Sequence, residues 1–168
     1  MPFVDIVGPI VANTAYVGGT LVAKDVEATL PEVTPTMTDV EAMGTMSLPV
    51  WQRLENMEFS ISKVGVDLGL RAMLKPEPLS LELRFVQDKT DANSKTTALG
   101  CKAFIKGIPA GIPGISATPG ENSINEVTYT VTRYQLFVNG SEMFLIDRLA
   151  GIVRINGTDY TQAINSLL

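Results

Sequence analysis

Apolar and polar positions alternate along much of this chain, and the stretch that organises the reading runs from Glu126 to Asp147, EVTYTVTRYQLFVNGSEMFLID. A strand turns successive side chains to opposite faces, so period-two alternation predicts half-buried β-structure. Runs rich in Val, Thr, Tyr, Phe and Leu flank Asn139-Gly140, and Asn-Gly tolerates the positive φ angles of a tight type I′ turn. The pattern predicts a hairpin. A two-residue loop would set Val138 opposite Ser141, Leu136 opposite Met143 and Tyr134 opposite Leu145, leaving one apolar face. Upstream the phase changes, because Val127, Tyr129 and Val131 are odd-numbered while Tyr134, Leu136 and Val138 are even-numbered. A bulge near Thr132, or burial of both faces, accounts for the change.

The same pattern predicts strands elsewhere. Leu79–Phe85 alternates Leu79, Leu81, Leu83 and Phe85 with Ser80, Glu82 and Arg84, and Met57–Ser62 alternates Met57, Phe59 and Ile61 with Glu58, Ser60 and Ser62. Thr96–Lys106 places Leu99, Cys101, Ala103 and Ile105 on one face, after a polar turn at Asp88–Lys95. Leu21–Leu30 and Asp39–Leu48 are expected to pair as a long hairpin excursion over 21–48. Pro31 and Pro35 punctuate its tip, since proline holds the chain extended and withholds an amide donor. Such an excursion has little core of its own and is expected to lie against a partner. Pro49–Asn56 reads as a turn or two of helix with Trp51 as a core anchor. Asp67 is a candidate N-cap for a short helix through Leu74, weakened by Gly69. Gly151–Ile155 predicts a last strand, and Thr158 a cap for a final helix carrying Tyr160, Ala163, Ile164 and Leu167 at helical spacing and lying flat on a sheet. Residues 1–19 show no sustained period and read as an extended arm, and 107–123 as a long loop.

The chain is thus expected to be one mainly β domain over 1–168, a β-sandwich or partly open barrel with a protruding hairpin, one internal helix and a C-terminal helix. At 168 residues it is long enough to bury a core. The apolar fraction is 45% but the charged fraction only 18%, below the roughly 25% of ordinary globular proteins. Either subunit contacts cover part of the surface, or Gly, Thr and Ser replace charge on it. No run reaches the ~18 apolar residues of a membrane helix, and MPFVDIVGPIVANTAY lacks a signal peptide's basic start, so a soluble cytoplasmic product is expected.

Candidate chemistry is sparse. With no histidine and one cysteine, the usual zinc sites, intramolecular disulfides and His-dependent triads are excluded. Cys101 reads as a small buried hydrophobe rather than a reactive thiol. Nothing in the sequence pairs Glu58, Asp67, Glu82, Asp147 or Asp159 as an acid–base couple, and no Gly-Lys-Ser/Thr completes a phosphate loop. No enzymatic activity, cofactor or metal is expected. The balance of 13 basic to 18 acidic residues, with Lys75, Arg84, Lys102, Lys106, Arg133 and Arg154 scattered, disfavours tight nucleic-acid binding. Asn139-Gly-Ser and Asn156-Gly-Thr match the glycosylation sequon but read as turns.

Two regions carry a resemblance. The C-terminal third has Tyr134-x-Leu136, an Asn-Gly turn, Ile146-Asp147, a further strand, Asn156-Gly157 and a terminal helix ending in Leu. Upstream, VEATLPEVTPTMTDVEAMG enters a bend through Leu30-Pro31-Glu32. Together these resemble the major tail tube proteins of contractile-tailed bacteriophages, although the N-terminal arm is longer and less charged and the bend carries Pro and Thr where the family has charged residues. The resemblance implies hexameric rings that share an inner β-barrel and stack into a hollow tube inside a contractile sheath. Roughly 24 strands spaced about 4.8 Å apart and tilted near 40° would give a circumference of about 150 Å, an open bore. It implies as partners further copies of the chain, the sheath protein, a tape measure protein in the lumen, baseplate and terminator proteins, and DNA only in transit past acidic walls, with no membrane. Its location would be a virion tail assembled in the bacterial cytoplasm. Contacts between subunits are expected at Val26, Ala28, Leu30, Pro31, Glu32, Val33, Pro35, Met37, Val40 and Ala42. Deleting Pro31–Thr38 is expected to leave the subunit folded and stop ring stacking. The alternatives are the tube of a headless contractile bacteriocin or other injection system and, from another class, a monomeric β-sandwich binding module or an enzyme with an unfamiliar site.

Overall fold

The computed structural model describes residues 4–168, mostly in strands. In chain order these are β1 (Ile6–Val17), β2 (Thr20–Lys24), β3 (Glu27–Thr29), β4 (Pro35–Glu41), β5 (Thr45–Leu54), β6 (Glu58–Val64), β7 (Leu79–Thr90), β8 (Thr96–Pro109), β9 (Ile124–Val138), β10 (Ser141–Asp147), β11 (Ile152–Ile155) and β12 (Thr158–Asp159). Helix α1 (Leu68–Met73) lies between β6 and β7, and α2 (Gln162–Asn165) near the end. Ten strands form one antiparallel sheet in the order β12-β11-β10-β9-β8-β7-β1-β2, with β3 on β6 and β6 on β9. Strands β4 and β5 pair only with each other. At Asp25, where φ is 49°, the chain turns from β2 into β3. The path of strands thereby comes round from β9 through β1 and back to β6, giving a mainly β, partly open barrel of the kind expected.

Its interior is filled by the alternating residues of the long strands. Phe59, Ile61, Leu79, Leu81, Leu83, Ala103, Ile105, Val127 and Tyr129 are all buried. Burying each larger apolar side chain contributes about 1.5–3 kcal/mol. Helix α1 packs Leu70 and Met73 onto this core, and the Tyr129 hydroxyl donates to the Met73 carbonyl at 2.7 Å. Asp67 caps α1 as expected, accepting from the Leu70 amide at 2.9 Å and pairing with Lys63 at 3.1 Å. Gly69 has a packing reason: a Cβ there would lie 2.6 Å from the Val22 carbonyl oxygen, so only glycine lets α1 sit this close to β2.

The phase change in β9 is a bulge. The β8–β9 ladder passes from Lys106↔Arg133 to Gly107↔Val131, leaving Thr132 as the extra residue. Before it, β9 pairs with β6 through Thr130; after it, β9 pairs with β10 from Arg133. One strand thus serves the barrel with one phase and the sheet beyond it with the other.

Several expectations need correction. A second bulge shifts the β9–β10 register, setting Phe144 opposite Leu136 and Ile146 opposite Tyr134 rather than Met143 and Leu145. Phe144 then packs edge-on against Tyr134, centroids 4.9 Å apart, which favours the shifted register. Pro49–Asn56 is not helical: Thr36↔Val50 and Met37↔Pro49 are rungs of β4–β5, and Pro49 is tolerated because this ladder is all edge. Trp51 is 37% exposed and anchors no core. The protruding hairpin is 35–54 with its turn at 42–44, not 21–48 with its turn at 31–38. Residues 21–30 belong instead to β2 and β3. Within the expected arm, Ile6–Val17 is strand β1, laid along β7; Met1, Pro2 and Phe3 fall outside the described residues. Strand β8 extends to Pro109, so irregular chain begins at 110. At the end, Thr158 pairs with Ile155 in β12, and α2 begins after Thr161 with none of its residues buried. The Thr161 hydroxyl donates to Asp159 at 2.8 Å and accepts from the Val153 amide at 3.2 Å, which fixes the start of the helix there.

Candidate assembly surface

Strands β4 and β5 form a two-stranded ribbon with unpaired edges on both sides. Its faces are bare as well: Met37, Val40, Met43, Met46, Leu48 and Trp51 are all exposed, Met43 completely. An isolated ribbon of this kind is marginal in water, and open edges invite pairing with another chain. Three of the chain's seven methionines lie between Met37 and Met46, which gives the ribbon an adaptable apolar surface. Its only charges before Arg53 are Asp39 and Glu41, and Ser47 hydrogen-bonds Asp39 across the ribbon.

Two further surfaces lack cover. Strand β2 pairs with β1 only over Thr14–Val17, which leaves the outer edge of 6–12 open and carries exposed Ile6, Val7, Ile10 and Val11. The second is a hollow of about 500 Å³ bounded by Trp51, Leu54, Ile152, Ile164 and Leu168, where β5, β11 and α2 meet. The Arg148 guanidinium donates to the Leu54 carbonyl at 2.9 Å and ties the base of the ribbon to the β10–β11 turn.

Charge is segregated. On the outer face of β3, β6 and β9, Glu27, Ser62 and Glu126 stand in one row and Glu58 opposite Thr130 in another, and Glu32 and Glu55 join Glu58 and Glu126 around a separate depression on this side. The outer face of β7, β8 and the far half of β9 carries Arg84 beside Lys102 in one row and Lys106 beside Arg133 in another, with Glu82, Phe104 and Gln135 in the row between. Beyond it the Arg154 guanidinium binds both carboxylate oxygens of Glu142, at 2.6 and 3.0 Å, and holds that acid below the usual carboxylate range. Burial pushes the Cys101 thiol up, away from the reactive thiolate. Burial likewise raises Tyr134 to about 12. Among the described residues no group of three or more Cys, Asp or Glu side chains could hold a metal, and no helix is long and apolar enough to cross a membrane.

The residues expected at subunit contacts divide in two. Val26, Ala28, Leu30 and Val33 are half-buried against the chain's own core, and Pro31 is buried. Glu32 and Pro35 lie at the junction, while Met37, Val40 and Ala42 are on the exposed ribbon. Met43, Met46, Leu48 and Trp51 complete that surface; Met43, Met46 and Leu48 fall within the expected 21–48 hairpin, whereas Trp51 is expected in a core. Their signal is an alternation of Met46, Leu48 and Val50 that continues past Pro49.

Comparison with known proteins decides the family. The family model described as phage tail tube protein FII matches residues 10–168. This chain belongs to the phage tail tube family. It is a tail tube structural subunit. Among solved structures, the subunit resembles a chain of the PVC extracellular contractile injection system sheath-tube complex in the extended state. That match has a TM-score of 0.52 and 11% identity over 77% of this subunit and 90% of that chain. A chain of the PVC sheath/tube terminator in the extended state matches with a TM-score of 0.52 and 10% identity, over 77% of the tube subunit and 95% of that chain. At such identity these likenesses concern the fold alone. Curated protein sequences give no match.

Proposed function

We propose that this tail tube subunit assembles into hexameric rings that stack into a hollow tube inside a contractile sheath, and that its role is structural rather than catalytic. The observation that carries the reading is the β4–β5 ribbon, whose faces and edges are uncovered in a single copy. In a ring, neighbouring copies would cover it, turning an aggregation hazard into an interface. The sheath and a terminator would be partners, by analogy with the complexes in which the fold's neighbours occur. A tape measure protein in the lumen, a baseplate, and DNA in transit complete the expected set for a virion tail built in the bacterial cytoplasm. The net charge of -5 is suited to a conduit, since like charge keeps DNA phosphates from sticking. A second reading is the tube of a headless contractile injection system, favoured by the source of the solved neighbours. There no DNA would pass.

Sedimentation and negative-stain electron microscopy of the pure protein at high concentration test the proposal. Rings or tubes are expected. A species that stays at 18.1 kDa at every concentration overturns it. Particles purified from the producing bacterium separate the two readings by whether they carry DNA-filled heads.

A further inference from the structure

The outer face of β7, β8 and β9 contains a hollow of about 600 Å³ with a mostly apolar lining. Its floor follows from the ladder: Val86 faces Gly100 in one row, and Arg84, Lys102 and Phe137 occupy the next. Phe104 closes one side, meeting Phe137 edge-on with centroids 5.7 Å apart. The missing side chain at Gly100 makes the depression, since a Cβ there would meet nothing within 4 Å. Two cations rim it. Arg84 stacks over the Tyr16 ring at 4.5 Å and pairs with Glu82, while Lys102 has no acidic partner among the described residues.

The geometry points to this hollow as the socket for the β4–β5 turn of a second copy of the chain. The turn presents Met43, which is wholly exposed, just after Asp39 and Glu41 at the end of β4, on a ribbon with no basic residue from Pro35 to Gln52. An apolar, polarizable knob with carboxylates along the strand that leads into it matches an aromatic-walled hollow rimmed by Arg84 and Lys102 in both shape and charge. Knob and socket lie on different parts of the surface, so the contact can repeat head to tail from copy to copy, closing into a ring or continuing as a stack. This deepens the tube reading by naming the contact, and it rests on that reading only for what the contact builds.

Gly100→Leu tests it, because a Cβ at position 100 meets no atom of its own subunit within 4 Å and the added side chain fills the hollow. Circular dichroism and the denaturation midpoint should match wild type, while assembly by sedimentation should fall at least tenfold. Lys102→Glu should weaken assembly in the same way, and Lys102→Glu combined with Glu41→Lys should restore it. A photo-crosslinking amino acid at position 43 should form adducts with a second copy at Val86, Lys102 or Phe104. Tubes that form with adducts elsewhere, or that are untouched by Gly100→Leu, overturn the socket and leave the tube standing. Adducts in the socket of a dimer that never forms rings keep the socket and overturn the tube. A chain that neither assembles nor crosslinks overturns both.

Discussion

Two hairpins in this chain have opposite fates. In β9–β10 each strand has neighbours: β9 lies between β8 on one side and β6 and β10 on the other, and β10 continues into β11. Tyr134, Leu145 and Ile146 are buried there. Strands β4 and β5 are shorter than β9 but also carry many apolar residues, yet beyond the foot of the ribbon at Leu54 nothing in their own subunit pairs with them. The difference is one of ownership. The first hairpin's apolar residues stabilise the subunit, and the second's remain available to stabilise an assembly, so changes in the two should be felt in different measurements.

The largest effect on folding is expected in the barrel. Tyr129→Ala removes a fully buried ring stacked near Phe59 and the bond to Met73, and should lower the free energy of unfolding by about 3–5 kcal/mol in a urea titration. A value like that of a surface substitution would break the comparison. Gly69→Ala should cost about 1–3 kcal/mol even though alanine is the better helix former, because its Cβ meets the Val22 carbonyl. A gain in stability would mean that α1 can move away from β2.

Asp67→Ala should cost about 1 kcal/mol through the lost cap. This effect also has a pH signature. The Leu70 amide and Lys63 hold the Asp67 carboxyl below its ordinary value. The folded state therefore prefers the carboxylate. Its contribution is complete above the unfolded pKa near 4 and fades as pH falls through the lower folded value. The gap between mutant and wild type should narrow in acid; a gap that widens there would contradict the cap geometry. The smallest folding effect belongs to the ribbon. Met43→Ser with Leu48→Ser should shift stability by no more than about 0.5 kcal/mol and yet suppress assembly in sedimentation. A cooperative loss of structure in that double mutant would show that the ribbon supports its own subunit. Because Pro31 is buried and Val33 packs on the core, removal of 31–38 would damage the barrel. The deletion that isolates assembly from folding is 41–45.

How far the fold was legible follows from where faces differ. Leu79–Phe85 and Met57–Ser62 were readable because one face meets the core and the other meets water, so each residue type reports its side. The Thr132 bulge was readable for the same reason, as a change of parity. Its companion at Met143 was not, since Phe144, Leu145 and Ile146 are all apolar and mark no face. The ribbon was recognised as a hairpin but misplaced because both its faces are exposed, so apolar and polar positions do not report a buried side there. Pro49 pointed to a helix start only while the ladder with Met37 was unknown. The final helix was displaced by three residues because Thr158 and Thr161 offer the same hydroxyl, and only the Val153 amide distinguishes them.

The bulge at Thr132 also sets an order of events during synthesis. Strand β9 joins partners made as early as Glu58 to one made immediately afterwards, and the β6–β9 ladder spans the longest loop it must close. The local ribbon with β10 closes in microseconds, whereas the distant pairing waits on the entropy of that loop. Until the chain has been translated past Ile124, β6 has no β9 to pair with and its edge toward β9 stays open. The newborn polypeptide therefore passes through a period in which it is as adhesive as the finished ribbon, and the cell must bring it through that interval before the intended adhesion begins.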